Sequence, residues 1–209
     1  MKAIRCVMLV GALALMFSGV GRADLLSGCP TCQGSTYLLT YDPNATITVG
    51  GVSTYDVTLT IDTSGYSGGG AFINSVAIKV SSQEALTGNS LLSAPGGVAA
   101  WTLNLGGITA NGCQTATVNG FICAEDGPSA PVPSGIYVWR FLYSTSNPLL
   151  TGFHAASIKA QYVDTNYNKV GALVSENITL TAVPDGGGTL ALLGGALIGL
   201  ETLRRRFRI

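Results

Sequence analysis

The side chains best suited to chemistry are five cysteines, of which Cys6 directly precedes an apolar N-terminal stretch. The other four form two close pairs, Cys29 with Cys32 and Cys113 with Cys123. An even number of cysteines predicts disulfides in a chain that leaves the cytoplasm, and the N-terminal residues predict export. Four cysteines allow three connectivities. We favour the two local bridges, because an Asn-Gly pair within the second one would turn a hairpin.

Two other uses of the same cysteines compete with disulfides. Cys29-Pro30-Thr31-Cys32 has the spacing of a thioredoxin-type redox pair, which needs a thiolate at a helix N-terminus. A predicted strand follows the motif here instead. A zinc site from all four thiolates is the second alternative, but nine residues lie between Cys113 and Cys123. Zinc sites usually have about two to four residues between paired ligands, so structural disulfides remain the first interpretation.

A polar segment, Asp164-Thr165-Asn166-Tyr167-Asn168, places oxygen ligands at alternate positions, as the first half of a calcium loop does. Lys169 occupies the position at which such loops carry glycine, and Ser175 occupies that of the final carboxylate. A polar hairpin turn after Val163 is therefore favoured over a calcium site. We predict no metal and no cofactor.

Catalytic and sugar-binding side chains are equally sparse. His154 is the single histidine, so a Ser–His–Asp triad would depend on it, and no nucleophile-elbow pattern accompanies it. Trp101, Tyr137, Trp139 and Tyr143 have the chemistry of a sugar-stacking platform. Aromatic residues at alternating strand positions more often belong to the core. The sequence therefore predicts no catalytic residue and no enzyme.

The elements that position these residues have a period of two. Apolar and polar residues alternate through six segments, which are Tyr55–Ile61, Val76–Val80, Trp101–Leu105, Tyr137–Tyr143, Ile158–Tyr162 and Ile178–Ala182. Ser35–Tyr41 adds a first strand. Turn-forming Gly, Pro and Asn separate the segments, and none shows a sustained helical period. We predict an all-β fold, an antiparallel β-sandwich that is jelly-roll-like or immunoglobulin-like.

The N-terminus has the order of a secretory signal peptide. Lys2 and Arg5 precede an apolar stretch from Val7 to Val20, and small residues lead to a cleavage site after Ala23. This stretch of 14 residues is short for a membrane span. A lipoprotein box ending at Cys29 is an alternative, but charged residues separate it from the apolar stretch.

The C-terminus predicts a membrane span. Val183-Pro184-Asp185 precedes three glycines and an apolar run, and four arginines follow between positions 204 and 208. The 18 residues from Gly186 to Leu203 would be roughly 27 Å long as a helix. That length just crosses a hydrocarbon core of about 30 Å. The arginines hold their end in the cytoplasm, so the rest of the chain lies outside.

A short motif, an apolar helix and an arginine cluster in this order resemble the PEP-CTERM class of bacterial sorting signals. In particular, the motif resembles the variant that reads Val-Pro-Asp-Ser-Gly. Val183, Pro184, Asp185 and Gly187 match it, and Gly186 stands in place of its serine. The resemblance implies recognition by an exosortase, a membrane-embedded, cysteine transpeptidase-like enzyme that cuts near the motif and removes the helix. A tail anchor that is never cut is the alternative.

Two stretches between the ends also look similar to uncharacterised β-rich PEP-CTERM ectodomains. They are the run from Cys29 to Tyr37 and the segment from Ser157 to Glu176. This resemblance supplies no catalytic residue. We therefore divide the chain into a signal peptide at 1–23, a β-sandwich ectodomain at 24–182 and a sorting region at 183–209.

Charge excludes one class of partner. Residues 24–185 carry four basic and ten acidic side chains. Nucleic-acid binding needs clustered Lys and Arg that neutralise phosphates, so we expect no such activity.

The sequence predicts an exported, non-enzymatic protein. Its C-terminal helix anchors it transiently in the inner membrane, and an exosortase then sorts it to the cell surface or extracellular matrix. A role in an extracellular polysaccharide matrix is implied by the resemblance alone. The expected partners are signal peptidase, the exosortase and, as a further candidate, the polysaccharide. The alternatives are a carbohydrate-binding β-sandwich module and a secreted hydrolase.

Overall fold

The computed structural model describes residues 24–82, 88–109, 112–114, 120–126 and 135–183. These residues belong to one compact unit, Ala23–Val183. The predicted signal peptide with its cleavage site, the motif residues Pro184 and Asp185, and the predicted span lie outside the described residues. Within the described part of the chain, no helix has the length and apolarity needed to cross a membrane.

Strands dominate the described residues, and a single 3₁₀ turn, Val98–Ala100, accompanies them. The strands are β1 Thr36–Val49, β2 Val52–Asp62, β3 Phe72–Lys79, β4 Ser90–Ser93, β5 Trp101–Leu105, β6 Ile108–Thr109, β7 Gly112–Cys113, β8 Ile122–Asp126, β9 Ile136–Thr145, β10 Ala156–Val163, β11 Val174–Ile178 and β12 Leu180–Ala182.

Two five-stranded sheets form a sandwich-like arrangement. The first sheet has the strand order β12-β1-β2-β9-β4, and the second has the order β11-β10-β3-β8-β5. β6 and β7 form a separate small hairpin. The prediction of an all-β, sandwich-like fold is therefore confirmed. The strand pairing is antiparallel as predicted, with one exception among the described strands, since β12 runs parallel to β1.

The core lies between the sheets, where the period of two places it. Val57, Leu59 and Ile61 of β2 are fully buried, while the threonines between them are only partly buried. Leu59 lies opposite Trp139 of β9, whose side chain is also fully buried. Burial of each such apolar side chain contributes about 1.5–3 kcal/mol. Alternation in the sequence therefore determines which face of each strand is buried in the core.

The parallel pair arises where the last predicted strand changes sheets. The segment Ile178–Ala182 was predicted as one strand. In the structure Ile178 ends β11 in the second sheet, and Leu180 begins β12 in the first. Thr179 forms the corner between them. Both Ile178 and Leu180 are buried, so the alternation continues through the corner and gives no sign of it.

β1 and β2 form a long hairpin that closes with Gly50-Gly51. Both glycines have positive φ, 59° and 80°, which a two-residue hairpin turn of this kind requires and which glycine adopts without a steric penalty. The register shifts between Asp42 and Ile47, and beyond that irregularity Val49 pairs with Val52. Ile47 and Val49 are 65% and 73% exposed.

Candidate functional site

The sorting motif begins at the last described backbone hydrogen bond of the first sheet. Leu180 of β12 is buried, and Ala182 lies opposite Tyr41 of β1. The last bond of this ladder runs from the backbone N–H of Val183 to the carbonyl oxygen of Tyr41, at 2.8 Å. The next residue, Pro184, has no N–H to donate. The motif is thus positioned by the fold through Val183, the one motif residue that the structure describes.

Polar contacts fix the corner that precedes β12. The Thr179 hydroxyl donates to Asp24 Oδ2 at 2.7 Å and accepts from the backbone N–H of His154 at 3.2 Å. His154 Nε2 lies 3.4 Å from the same oxygen of Asp24, and its ring stacks on Phe153 with centroids 4.0 Å apart. The contacts of His154 with Thr179 and Asp24 therefore support the corner. Sequence reasoning missed Asp24 and Thr179, because 155 positions separate them and no local pattern joins them.

The first disulfide joins Cys29 to Cys32, with a Cα–Cα distance of 5.2 Å. Cys32 is fully buried in the core, and its carbonyl accepts from the N–H of Ser35 immediately before β1. The Thr31 hydroxyl donates to the carboxylate of Glu176 on β11. We call residues 29–32 the disulfide clasp, because they link an edge of the second sheet to the start of the first. A strand, rather than the helix that redox chemistry requires, follows the clasp.

The second disulfide joins Cys113 to Cys123, with a Cα–Cα distance of 5.7 Å. It ties the β6–β7 hairpin to β8 on the outer side of the second sheet. Both Cα–Cα distances fall within the usual range of about 4.4–6.8 Å. Cys123, Ala77 and Ile108 form a small buried cluster beside this bridge. The structure thus has the two local bridges that the sequence favoured among three connectivities.

Two lysines lie beside the second bridge. The ammonium groups of Lys159 and Lys79 are 5.0 Å and 6.0 Å from the centroid of the Phe121 ring. Lys159 Nζ also donates to the carbonyl of Ile108 at 3.4 Å. Cation–π contacts of this kind contribute about 0.5–1 kcal/mol at exposed sites. The cation–π contacts join β3 and β10 to Phe121, which precedes β8, and the hydrogen bond from Lys159 joins β10 to the small hairpin.

The Asp164 segment forms a hairpin turn. Asp164 Oδ1 accepts from the backbone N–H groups of Asn166 and Asn168, at 2.8 and 2.9 Å. The bond from Asn168 is the main cause that lowers the pKa of Asp164 below its usual value. Tyr167 takes the left-handed conformation that such a turn needs, with φ of 62°. In the described part of the chain, no three His, Cys, Asp or Glu side chains are grouped to hold a metal ion.

The four aromatic side chains that could have formed a sugar-stacking platform pack in the core of the sandwich or against it. Trp139 and Tyr143 are fully buried, Trp101 is 7% exposed, and Tyr137 is partly buried. Trp101 and Trp139 pack edge to face, with ring centroids 5.5 Å apart. These four rings therefore form the core and not an exposed plane on which a sugar could stack.

Comparison with known proteins bears on the C-terminus. No curated protein matches the chain. Residues 182–207 match the family model for the VPDSG-CTERM motif. The match begins at Ala182, the last residue of β12, and includes Val183, Pro184 and Asp185. This motif indicates an exported protein that passes through a membrane. The chain therefore carries a VPDSG-CTERM sorting signal of the PEP-CTERM type, which exosortases recognise, as its sequence predicted.

Proposed function

We propose that the protein is a non-enzymatic exosortase substrate that is delivered to the cell surface or to an extracellular polysaccharide matrix. The observation that carries the proposal is the position of the VPDSG-CTERM match. It begins at the last residue of the last strand, so the signal follows the folded unit without an intervening linker.

This position suits a processing enzyme. A protease or transpeptidase binds its substrate as an extended chain that is free of other backbone pairing. Val183 makes the last described bond of the ladder, and proline at the next position has no N–H with which to continue it. Three glycines follow Asp185 in the sequence, and glycine is the residue least restricted in backbone conformation. Cleavage near the motif would therefore leave the β-sandwich intact.

Structural roles for the reactive side chains support a non-enzymatic protein. Cys32 and Cys123 are buried in disulfides, and His154 contacts Asp24 at the corner before β12. The carboxylate of Asp164 accepts hydrogen bonds within its own turn. Each of these groups is used by the fold, so none needs a catalytic role to explain its place.

The test is the intact mass of the mature protein from its native host. We expect a species that begins at Asp24 and lacks the residues after about Asp185. Deletion of the exosortase should leave an uncut, inner-membrane form that ends at Ile209. The double substitution Pro184→Ala and Asp185→Ala should do the same, with unchanged thermal stability. Asn177→Ala, on an exposed position of β11, is the matched control and should leave processing unchanged. Persistence of the intact tail in a wild-type host with an active exosortase would overturn the proposal.

A further inference from the structure

Two segments of the chain have the pattern Asn-X-Ser/Thr, which is the acceptor pattern for N-linked sugars in exported proteins. We call Asn44-Ala45-Thr46 the first sequon and Asn177-Ile178-Thr179 the second sequon. The sorting motif indicates export, so both segments can meet enzymes that attach sugars outside the cytoplasm. Such a transferase must reach the asparagine amide and the hydroxyl two residues later at the same time. The fold therefore decides which sequon can be used.

The first sequon lies at the irregularity in β1. Five steps along β1, from Asp42 to Ile47, match only two steps along β2. Residues 43–46 therefore bulge out of the ladder with β2. On the other side of the strand, β12 pairs with β1 as far as Tyr41 in the described part of the chain. The sequon thus occupies a bulge that has no regular pairing partner on either side.

The reactive groups of the first sequon are not used by the fold. Asn44 is exposed, and its backbone N–H donates to Asp42 Oδ1 at 2.8 Å, which holds the bulge in a turn. The side-chain amide of Asn44 makes no hydrogen bond to the described residues, and neither does the hydroxyl of Thr46. A transferase can therefore bind both groups without breaking a described side-chain contact.

The second sequon is held in the sandwich. Asn177 pairs with Ser157 across β10 and β11, and its Oδ1 atom accepts from the hydroxyl of Ser157 at 2.8 Å. Ile178, the middle residue, is 1% exposed. The hydroxyl of Thr179 makes two hydrogen bonds in the corner before β12. An enzyme could bind this sequon only after it had pulled β11 from its sheet and Ile178 from the core.

We propose that Asn44 is N-glycosylated after export and that Asn177 is not. The donor is an oligosaccharide carried by a polyprenyl pyrophosphate at the outer face of the inner membrane. The side-chain nitrogen of Asn44 forms a bond to the anomeric carbon of the donor sugar, and the bond from that carbon to the pyrophosphate oxygen breaks. The pyrophosphate leaves with the electron pair, and the amide gives one proton to a base of the transferase.

A glycan at Asn44 lies beside a strand edge that needs protection. Exposed edges carry unpaired backbone groups that pair with other chains unless something covers them. Beyond Tyr41, β1 has no neighbour on its β12 side among the described residues. The aliphatic side chains of Ile47 and Val49 follow the bulge and are mostly exposed. A bulky, hydrated sugar shields this edge, so it keeps the exported domains from pairing edge to edge.

The experiment measures the intact mass of the protein purified from its native host, with each variant expressed in place of the wild type. Asn44→Gln removes the acceptor, and Thr46→Val removes the hydroxyl but keeps the shape of the side chain. Thr46→Ser is the matched control, because it retains the hydroxyl and therefore the sequon. Asn177→Gln tests the second sequon. Thermal unfolding of each variant shows that its fold is intact.

We expect the wild-type protein to exceed the mass of its polypeptide by that of one glycan. The excess should be lost completely in Asn44→Gln and Thr46→Val, and it should persist in Thr46→Ser and Asn177→Gln. A wild-type chain without excess mass overturns the proposal. So does an excess that survives Asn44→Gln or disappears in Asn177→Gln. The same spectra test the tail separately, because a glycosylated chain that still ends at Ile209 contradicts exosortase cleavage and supports the modification.

Discussion

The phenol oxygens of Tyr37 and Tyr162 lie 2.8 Å apart and join the two sheets inside the core. Tyr37 belongs to β1 and Tyr162 to β10, and both side chains are fully buried. The Ser35 hydroxyl lies 2.9 Å from the same oxygen of Tyr162. Burial is the main cause that raises the pKa of Tyr37, Tyr143 and Tyr162 above the usual value. The fold thus holds three phenols in their neutral form.

These phenols predict a loss of stability in alkali. The folded pKa of each lies above its unfolded value of about 10, so the unfolded chain releases its protons first. The stability from the neutral phenols is complete below pH of about 10 and is lost as the pH rises above it. One phenol contributes a slope of up to about 1.4 kcal/mol per pH unit, and three together about 4. Urea unfolding between pH 8 and 11 measures this slope.

The control for the alkaline slope is Tyr143→Phe, which removes one phenol and should lower the slope by about a third. Tyr143 donates to the carbonyl of Gly120, so this variant also loses stability at every pH. Only the slope tests the titration. An unfolding free energy that stays constant up to pH 11 would contradict the prediction.

The disulfides predict that the mature protein has no free thiol under denaturing, non-reducing conditions. The half-cystines Cys113 and Cys123 are 10 positions apart. Closing a loop of that size stabilises the fold by about 2.5–3 kcal/mol in the chain-entropy model. We expect Cys113→Ala with Cys123→Ala to lose up to that amount in urea unfolding, with the clasp intact. Four thiols that react in the wild-type protein would revive the zinc interpretation.

The Asp164 turn predicts indifference to calcium. Its Oδ1 atom already accepts two backbone hydrogen bonds, which a bound cation would have to replace. Millimolar calcium should therefore leave Tm unchanged in differential scanning calorimetry. A ligand at about 100 times its Kd would add roughly 2.7 kcal/mol and be visible at once. A rise of that size that disappears in Asp164→Ala would establish a calcium site.

Two threonines that flank Leu180, the first residue of β12, predict opposite responses to substitution. Thr179→Val removes the hydrogen bonds to Asp24 and from His154, and we expect a loss of about 1–2 kcal/mol. Thr181 is the matched control, because its hydroxyl oxygen is buried without a hydrogen-bond partner among the described residues. Thr181→Val relieves that unsatisfied group and should be neutral or stabilising. Equal losses for both variants in urea unfolding would contradict this account of the corner.

The sequence predicted which face of each strand is buried better than it predicted which strands lie side by side. Alternation identified Val57, Leu59 and Ile61 as buried, because a period of two places every second side chain on the same face. It carried no information on which strand lies beside which. The passage from β11 to β12 at Thr179 keeps both flanking side chains buried, so the change of sheet leaves the pattern undisturbed.

The candidate site likewise has a part that the sequence predicted and a part that it did not. The sorting motif could be recognised from the sequence because its residues follow one another along the chain, from Val183 to the arginines. The bond that places it, from Val183 to Tyr41, joins residues at opposite ends of the chain. So does the contact between Asp24 and Thr179. Such contacts depend on the whole topology, and no short stretch of sequence encodes them.

The parallel course of β1 and β12 gives the molecule a polarity. β1 begins near the disulfide clasp, and β12 runs in the same direction, so β12 leads away from the clasp towards Val183. The end from which β1 starts carries the clasp, the carboxylate of Asp62, which lies opposite Thr36, and that of Glu176, which accepts from Thr31. The two ends of the described sandwich therefore differ in chemistry, and the clasp end presents loops and carboxylates in place of the regular pairing of the sheets.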